Sequence, residues 1–102
     1  MTGASDNAVP LISRHVRIIG RVQGVWYRRW TVDHAQALQI TGWVRNCADG
    51  TVEAVLTGPQ NAVEQLIERC WDGPQLAKVD DIAVSDAPIF DGDDFSQRPS
   101  RR

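Results

Sequence analysis

The stretch from Gly20 to Arg28, Gly-Arg-Val-Gln-Gly-Val-Trp-Tyr-Arg, combines residue types that can bind an anion. Its glycines let the backbone turn tightly, so that successive N–H groups can point inward at one anion. A helix is predicted to follow, and its positive N-terminal end would face the same point. Arg28 adds a planar guanidinium group that suits phosphate. The spacing alone is also typical of an ordinary glycine turn beside a solvated arginine.

A second stretch runs from Gly42 to Gly50, Gly-Trp-Val-Arg-Asn-Cys-Ala-Asp-Gly, and places Asn46 at the end of a predicted strand. The Asp49-Gly50 pair that follows is a strong hairpin signal. The amide of Asn46 can therefore serve a site at the end of the strand, or it can close the loop through an Asx turn. The residues alone leave both roles open.

Together, the two stretches resemble the acylphosphatase family, whose signature is a G-x-V-Q-G-V-x-[FY]-R loop followed by a G-x-V-x-N-x-x-D-G hairpin. Both segments occur in that order, and the resemblance covers about residues 14 to 98. It implies a ferredoxin-like fold and hydrolysis of the carboxyl-phosphate bond of acyl phosphates, without a metal or a cofactor. The substrate would be a small-molecule acyl phosphate, and inorganic phosphate would be a product.

The resemblance also implies which residues form the site. Arg28 would bind and stabilise the phosphoryl group, and Asn46 would orient a water for in-line attack on phosphorus, with no covalent intermediate. The phosphate cradle would comprise Arg21, Val22, Gln23, Gly24 and Val25 together with Arg28.

Three positions depart from the family pattern. Trp26 occupies a loop position that is often smaller and would narrow the mouth of the pocket. Gln39 stands where a glycine often ends the first helix, so a left-handed backbone there would strain it by roughly 1 kcal/mol or more. Pro99 follows Arg98 where the family often has an aromatic residue, which puts the pairing of a last strand near Phe95 in doubt.

Other phosphate chemistries fail on residue type. A cysteine phosphatase needs a cysteine six residues before an arginine, and neither cysteine has one there. A P-loop needs Gly-Lys-Ser/Thr, but the only lysine is Lys78. The aspartates between Asp72 and Asp94 lack the spacing of a calcium loop, and two cysteines without a Cys-x-x-Cys motif give little support for zinc. We therefore predict no metal, and we expect His15 and His34 to be structural or surface residues.

The hydrophobic pattern predicts the elements that must position these residues. It predicts strands over 14–19, 40–46, 51–57 and 77–84, helices over 28–38 and from Pro59 to about 71, and it leaves a short fifth strand possible within 94–98. The order βαββαβ is typical of an α+β sandwich in which two helices cover one face of an antiparallel sheet. That face should take from the strands Val16, Ile18, Val44, Val52, Ala54 and Leu56.

The chain has 102 residues and a formal net charge of −2, which allows one domain. We predict a flexible leader over 1–13, a domain over 14–98 and a frayed tail over 99–102. The near-neutral charge argues against a nucleic-acid clamp, and nothing approaches the roughly 20 apolar residues of a membrane span. No secretory signal is visible. We expect a cytoplasmic monomer with reduced thiols that binds neither nucleic acid nor membrane.

The total charge hides a segregation along the chain. Six arginines stand between Arg14 and Arg45 against one aspartate, and seven aspartates stand between Asp72 and Asp94 against one lysine. Two solvated faces of opposite sign would explain this, and so would an anion site in the first half. Arg21 and Arg45 flank the two motifs and would raise the potential toward an anionic substrate.

Two other functions are open from the sequence. A non-catalytic module on the same fold could hold phosphate or a phosphorylated partner without turnover. A ferredoxin-like RNA binder would present aromatic side chains across its central strands, but the predicted central strands offer Val16, Ile18, Val52 and Leu56 instead.

Overall fold

A computed structural model describes residues 9–101 of the chain. Five strands and two helices follow one another as β1 (Leu11–Arg21), α1 (Tyr27–Ala37), β2 (Thr41–Asn46), β3 (Val52–Pro59), α2 (Gln60–Cys70), β4 (Lys78–Asp86) and β5 (Phe95–Gln97). This is the predicted ferredoxin-like α+β order, extended by a fifth strand.

The sheet has the strand order β4-β1-β3-β2-β5. Its first four strands are antiparallel, as predicted. The fifth pairs in parallel with β2, with Phe95 opposite Gly42 and Gln97 opposite Val44, so the complete sheet is mixed. Phe95 is buried and anchors this strand. The strand ends two residues before Pro99, which cannot donate a backbone hydrogen bond, so that proline does not interrupt it.

Both helices pack on one face of the sheet, as predicted. The helices contribute chiefly Tyr27, Ala35, Val63 and Leu66 to a core whose strand residues alternate along the sequence. Each helix has 11 residues, and among residues 9–101 no helix is long and apolar enough to cross a membrane. The six strand residues predicted for this face are all at most 1% exposed: Val16, Ile18, Val44, Val52, Ala54 and Leu56.

The structure corrects both predicted ends of the domain. Strand β1 begins at Leu11, before the predicted boundary at residue 14, because residues 11–13 pair with β3 and the Thr57 hydroxyl donates to Ser13 Oγ at 2.8 Å. Residues 1–8 of the predicted leader lie outside the described residues. The tail is paired rather than frayed as far as Arg101, whose N–H donates to the carbonyl of Asn46 at 2.8 Å.

The opposite face of the sheet carries a buried carboxylate. Glu53 is 1% exposed, and its carboxylate lies 2.8 Å from His15 Nε2 and 2.5 Å from Arg45 Nε. Burial raises the pKa of Glu53, but the hydrogen bonds from His15 and Arg45 outweigh burial and hold that pKa at about 2. Arg17 lies 3.5 Å from the same group. Three strands are thereby joined around one anion.

Trp43 lies on this same face. Its ring is flanked by the guanidinium groups of Arg45, 4.6 Å from the ring centroid, and Arg98, at 4.7 Å. The residue is 9% exposed. It packs on the sheet and lies on the face away from the helices.

Candidate active site

A cavity of about 350 Å³ opens between the start of α1, the loop that precedes it, and the ends of β2 and β5. This volume lies near the lower end of the range for small-molecule sites, roughly 300–1,000 Å³. Arg28 and Asn46, which the sequence singled out separately, meet in this one cavity. Its walls are formed by Val22, Gly24, Trp26, Tyr27, Arg28, Arg29, Asn46 and Gln97.

The loop before α1 has the backbone conformation of an anion cradle. Gly24 has φ of 74° and Trp26 has φ of 69°, so left-handed residues stand on both sides of Val25. Such conformations turn N–H groups toward one side. Helix α1 then begins with no side-chain cap and no acidic residue in its first turn. Its first N–H groups and its positive end are therefore available to an anion.

Gln23 ties this loop to the hairpin that carries Asn46. Its side-chain Nε2 donates to the carbonyls of Cys47 and Thr51, both at 2.8 Å. Both amide hydrogens are used in these bonds, so the side chain has a structural role. The contact fixes the distance between the cradle and the end of β2.

The hairpin is closed by Asp49. Its Oδ1 accepts hydrogen bonds from the Thr51 hydroxyl at 2.6 Å and from the Thr51 N–H at 3.0 Å, and these bonds lower its pKa. Asp49, and not Asn46, therefore makes the Asx turn that closes this hairpin. Within residues 9–101 the side-chain amide of Asn46 has no hydrogen-bond partner, while its backbone is held by β3 and by Arg101. A fixed backbone with an unengaged amide suits the binding of a water.

Arg28 has no acidic partner among residues 9–101, which distinguishes it from Arg29 at the next position. Within the part of the chain that the structure describes, no carboxylate lies within 4.0 Å of its guanidinium group, whereas Arg29 on the next position pairs with Asp33 at 3.2 Å. The arginines with carboxylate partners are Arg14, Arg17, Arg29, Arg45 and Arg101. Arg28 therefore lines the cavity with its charge available to a ligand.

Tyr27 anchors the start of α1 beneath the cavity. It is 1% exposed, and its hydroxyl donates to the carbonyl of Cys70 at the end of α2. Burial raises the pKa of Tyr27, so the phenol stays neutral. Burial also raises the pKa of the Cys70 thiol to about 12, which keeps it unreactive. These groups position the neighbouring Arg28 and do no chemistry themselves.

The predicted cradle divides into two groups. The walls of the cavity include Val22, Gly24 and Arg28. The side chains of the other three point elsewhere: Arg21 is exposed at the end of β1, Gln23 bonds to the hairpin, and Val25 is buried in the core. Their part in binding phosphate would fall to backbone N–H groups, and it stays a prediction.

Three residues of the cavity were not assigned to the site from the sequence, and one of them, Tyr27, lies within the first motif. Gln97 comes from β5, whose three residues show no periodicity and whose parallel pairing places Gln97 opposite Val44. Arg29 directly follows the motif, and its position next to Arg28 is the feature of the sequence that could have identified it as a cavity residue. Its pairing with Asp33 leaves it less free than Arg28.

Neither histidine lies in the cavity, in agreement with the prediction. His15 contacts Glu53 on the other face of the sheet, and His34 accepts a hydrogen bond from Arg69 at 3.1 Å. Burial, followed by the charge of Arg69, lowers the pKa of His34. Among residues 9–101 no group of three or more His, Cys, Asp or Glu side chains is placed to hold a metal ion.

Comparisons with known proteins agree with this geometry. A model of the acylphosphatase family matches residues 14–97. An acylphosphatase of Rhodospirillum rubrum is 55% identical over 85 residues, which cover 83% of this chain and 93% of the relative. One from Rhizorhabdus wittichii is 48% identical over 89 residues, covering 87% and 90%. The solved structure of an acylphosphatase from Coxiella burnetii superposes with a TM-score of 0.83 at 36% identity, covering 86% of this chain and 93% of that one.

Proposed function

The chain belongs to the acylphosphatase family, and from that premise we propose that Arg28 and Asn46 carry out its reaction. The enzyme hydrolyses the carboxyl-phosphate bond of acyl phosphates to a carboxylate and inorganic phosphate. The observation that carries the assignment concerns residues 9–101: among them, an arginine without a carboxylate partner and an asparagine with an unengaged amide line one cavity, at a helix start without a side-chain cap.

The chemistry of the substrate explains why so few groups suffice. A carboxylate is a good leaving group of low pKa, so its departure needs no general acid. The protein has to hold the phosphoryl group, neutralise its spreading charge and place a water in line. In our proposal the Arg28 guanidinium binds two phosphoryl oxygens, and N–H groups around Gly24 and at the start of α1 bind the others.

Asn46 would hold the water on the opposite side of phosphorus from the leaving group. The side-chain oxygen of Asn46 accepts a hydrogen bond from the water and directs a lone pair at phosphorus. As the new P–O bond forms, the bond to the carboxylate oxygen breaks and its electron pair leaves with the carboxylate. The proton of the water passes to a phosphoryl oxygen, so no side-chain base is required.

The magnitudes are sufficient for this arrangement. A rate enhancement of about 10⁶ corresponds to about 8 kcal/mol. A preorganised donor contributes roughly 2.7–4 kcal/mol, and alignment of the reactants contributes up to about 7–11 kcal/mol. Arg28, a few loop N–H groups and Asn46 therefore supply enough stabilisation of the transition state.

Separate substitutions at the two positions test the assignment. Arg28→Ala should abolish both the hydrolysis of benzoyl phosphate and the binding of inorganic phosphate measured by titration calorimetry. Asn46→Ala should keep phosphate inhibition and lower kcat by about 10²–10³, the usual effect of removing one preorganised polar group. Arg14→Ala, at an arginine that pairs with Asp86 outside the cavity, is the matched control and should leave kcat unchanged. Wild-type turnover in a pure Arg28→Ala protein would refute the mechanism.

The alternatives considered from the sequence have less support. Membership in this family favours hydrolysis over a non-catalytic anion-binding module. On the open face, where a ferredoxin-like RNA binder would present aromatics on its central strands, β1 carries His15 and Arg17 and β3 carries buried Glu53.

We also propose that the chain acts as a monomer in the cytoplasm. Cys47 and Cys70 are both free thiols, which suits a reducing compartment. A mass that rises with protein concentration in light scattering would contradict the monomer.

A further inference from the structure

Trp26 has a combination of properties that folding does not explain. Its side chain is 78% exposed, and its backbone is left-handed, with φ of 69° and ψ of 21°. This conformation costs a residue with a Cβ roughly 1–2 kcal/mol, and the exposed indole recovers none of that by burial. Strained residues of this kind are concentrated at functional sites. Trp26 is also part of the cavity wall.

The proposed reaction indicates where the acyl group must lie. In-line attack places the water and the leaving carboxylate on opposite sides of phosphorus. Asn46 holds the water at the end of β2, so the acyl group points away from β2 and β5. The remaining wall is the start of α1, from Trp26 to Arg29.

Only one side chain on that wall offers a free apolar surface. Tyr27 is buried with its hydroxyl bonded to Cys70, Arg28 faces the phosphoryl group in our proposal, and Arg29 is paired with Asp33. Trp26 is the remaining one, and most of its indole is in contact with solvent. The cavity is larger than a phosphoryl group alone would fill.

We propose that Trp26 is a specificity residue, whose ring covers the acyl group and gives the enzyme a preference for acyl phosphates with flat, apolar acyl groups, such as aromatic ones. The inference rests on the proposed function, because the direction of the acyl group follows from water held by Asn46. Stacking of an aromatic acyl group on the indole buries apolar surface on both partners, which a small acyl group such as acetyl does to a much smaller extent.

The test compares benzoyl phosphate with acetyl phosphate in each variant. The ratio of the two kcat/KM values should fall by about 10-fold in Trp26→Gly, an effect within the range measured for stacking of a planar ring on an aromatic side chain. Trp26→Phe should keep most of the wild-type ratio of the two kcat/KM values. Comparing this ratio between variants cancels the different intrinsic reactivities of the two substrates. Glycine is the right replacement, because it tolerates the positive φ, whereas serine or asparagine would cap α1 and compete with phosphate for its N–H groups.

Trp71→Ala is the matched control, because Trp71 is also exposed, at 47%, and is not part of the cavity wall. It should leave both kcat/KM values unchanged. A binding readout that needs no turnover comes from two inhibitors in which a methylene replaces the bridging oxygen, phenacylphosphonate and 2-oxopropylphosphonate. Trp26→Gly should weaken the binding of the phenyl compound, measured by titration calorimetry, about 10-fold and the binding of the methyl compound much less.

The outcomes separate the two proposals. An unchanged substrate ratio in Trp26→Gly, with both substrates still hydrolysed and Arg28→Ala inactive, would overturn the role of Trp26 and leave the proposed function intact. Wild-type rates in Arg28→Ala or Asn46→Ala would instead overturn the site assignment on which the inference rests. A ratio that falls equally in Trp71→Ala would also overturn the role of Trp26, since the effect would not belong to the cavity.

Discussion

Gln39 shows how a single position in the sequence can predict backbone strain. It stands where a glycine often ends the first helix of this family, and its observed φ of 58° confirms the expected left-handed conformation. The Ile40 N–H that follows donates to the carbonyl of Ala35 at 2.8 Å, which closes the end of α1 and requires this turn. The hydrogen bond to the Ala35 carbonyl at the end of α1 therefore offsets the cost of the left-handed conformation of Gln39.

Gln39→Gly should raise the free energy of unfolding by up to about 1 kcal/mol, because glycine adopts this conformation without the Cβ penalty. Urea unfolding measures the change. Gln36→Gly, at an exposed position inside α1, is the control and should lower stability by about 1 kcal/mol. Destabilisation by Gln39→Gly would show that the side chain makes an interaction worth more than the strain.

The role of Arg45 could not be predicted from its neighbours in the sequence. It precedes Asn46, and we expected it to raise the potential at the anion site. Alternation along β2 sends it to the opposite face of the sheet, where it bonds to Glu53 at 2.5 Å. Its partner lies on another strand, and the sequence does not indicate that a carboxylate is buried there.

At the scale of elements, Glu53 joins β1, β2 and β3 on the face of the sheet opposite the two helices. Its pKa of about 2 lies below the ordinary 4.5. The folded state therefore favours the ionised form, and the resulting stabilisation is present above about pH 4.5 and is lost as the pH falls toward 2. At about 1.4 kcal/mol for each pKa unit, it amounts to about 3 kcal/mol.

Glu53→Gln should accordingly lower the free energy of unfolding at pH 7 by about 3 kcal/mol, because it leaves the surrounding arginines without their buried counter-charge. It should also flatten the decline in stability between pH 4.5 and pH 2. Urea unfolding across this pH range measures both effects. Glu68→Gln, at an exposed position of α2, should change neither. An equally steep decline in Glu53→Gln would assign the acid sensitivity to other carboxyl groups.

The helices and the four longer strands were predictable because each carries its own periodicity. The six strand residues assigned to the core are all buried, and the two motifs placed Arg28 and Asn46 at the ends of their elements. Strand β5 was not predictable to the same degree, since three residues have no pattern and its pairing depends on β2 at long range. Gln97 was missed as part of the cavity for that reason.

At the scale of the whole molecule, β5 covers an edge of the sheet that would otherwise be free. Deleting residues 95–102 removes the buried Phe95 and exposes the backbone groups of β2. We expect a loss of roughly 3–5 kcal/mol, as for other large core truncations, and concentration-dependent association through the open edge. Light scattering measures the association. Deleting only residues 99–102 keeps β5 and should not cause it. A 95–102 deletion that associates no more than the full chain would show that the β2 edge is protected in another way.

The strand order described above also determines when this chain can fold. Strand β1 lies between β3 and β4, so Arg14 needs Leu56 on one side and Asp86 on the other. Strand β1 leaves the ribosome before β3 and β4, so it must wait until β4 has been synthesised, and at about 5–20 residues per second this wait lasts several seconds. Until then Val16 and Ile18, which end up fully buried, can pair with β3 on one side, and the other side of β1 stays open. Because these strand pairs join residues far apart in the sequence, we expect the domain to fold more slowly than a helical bundle of the same size.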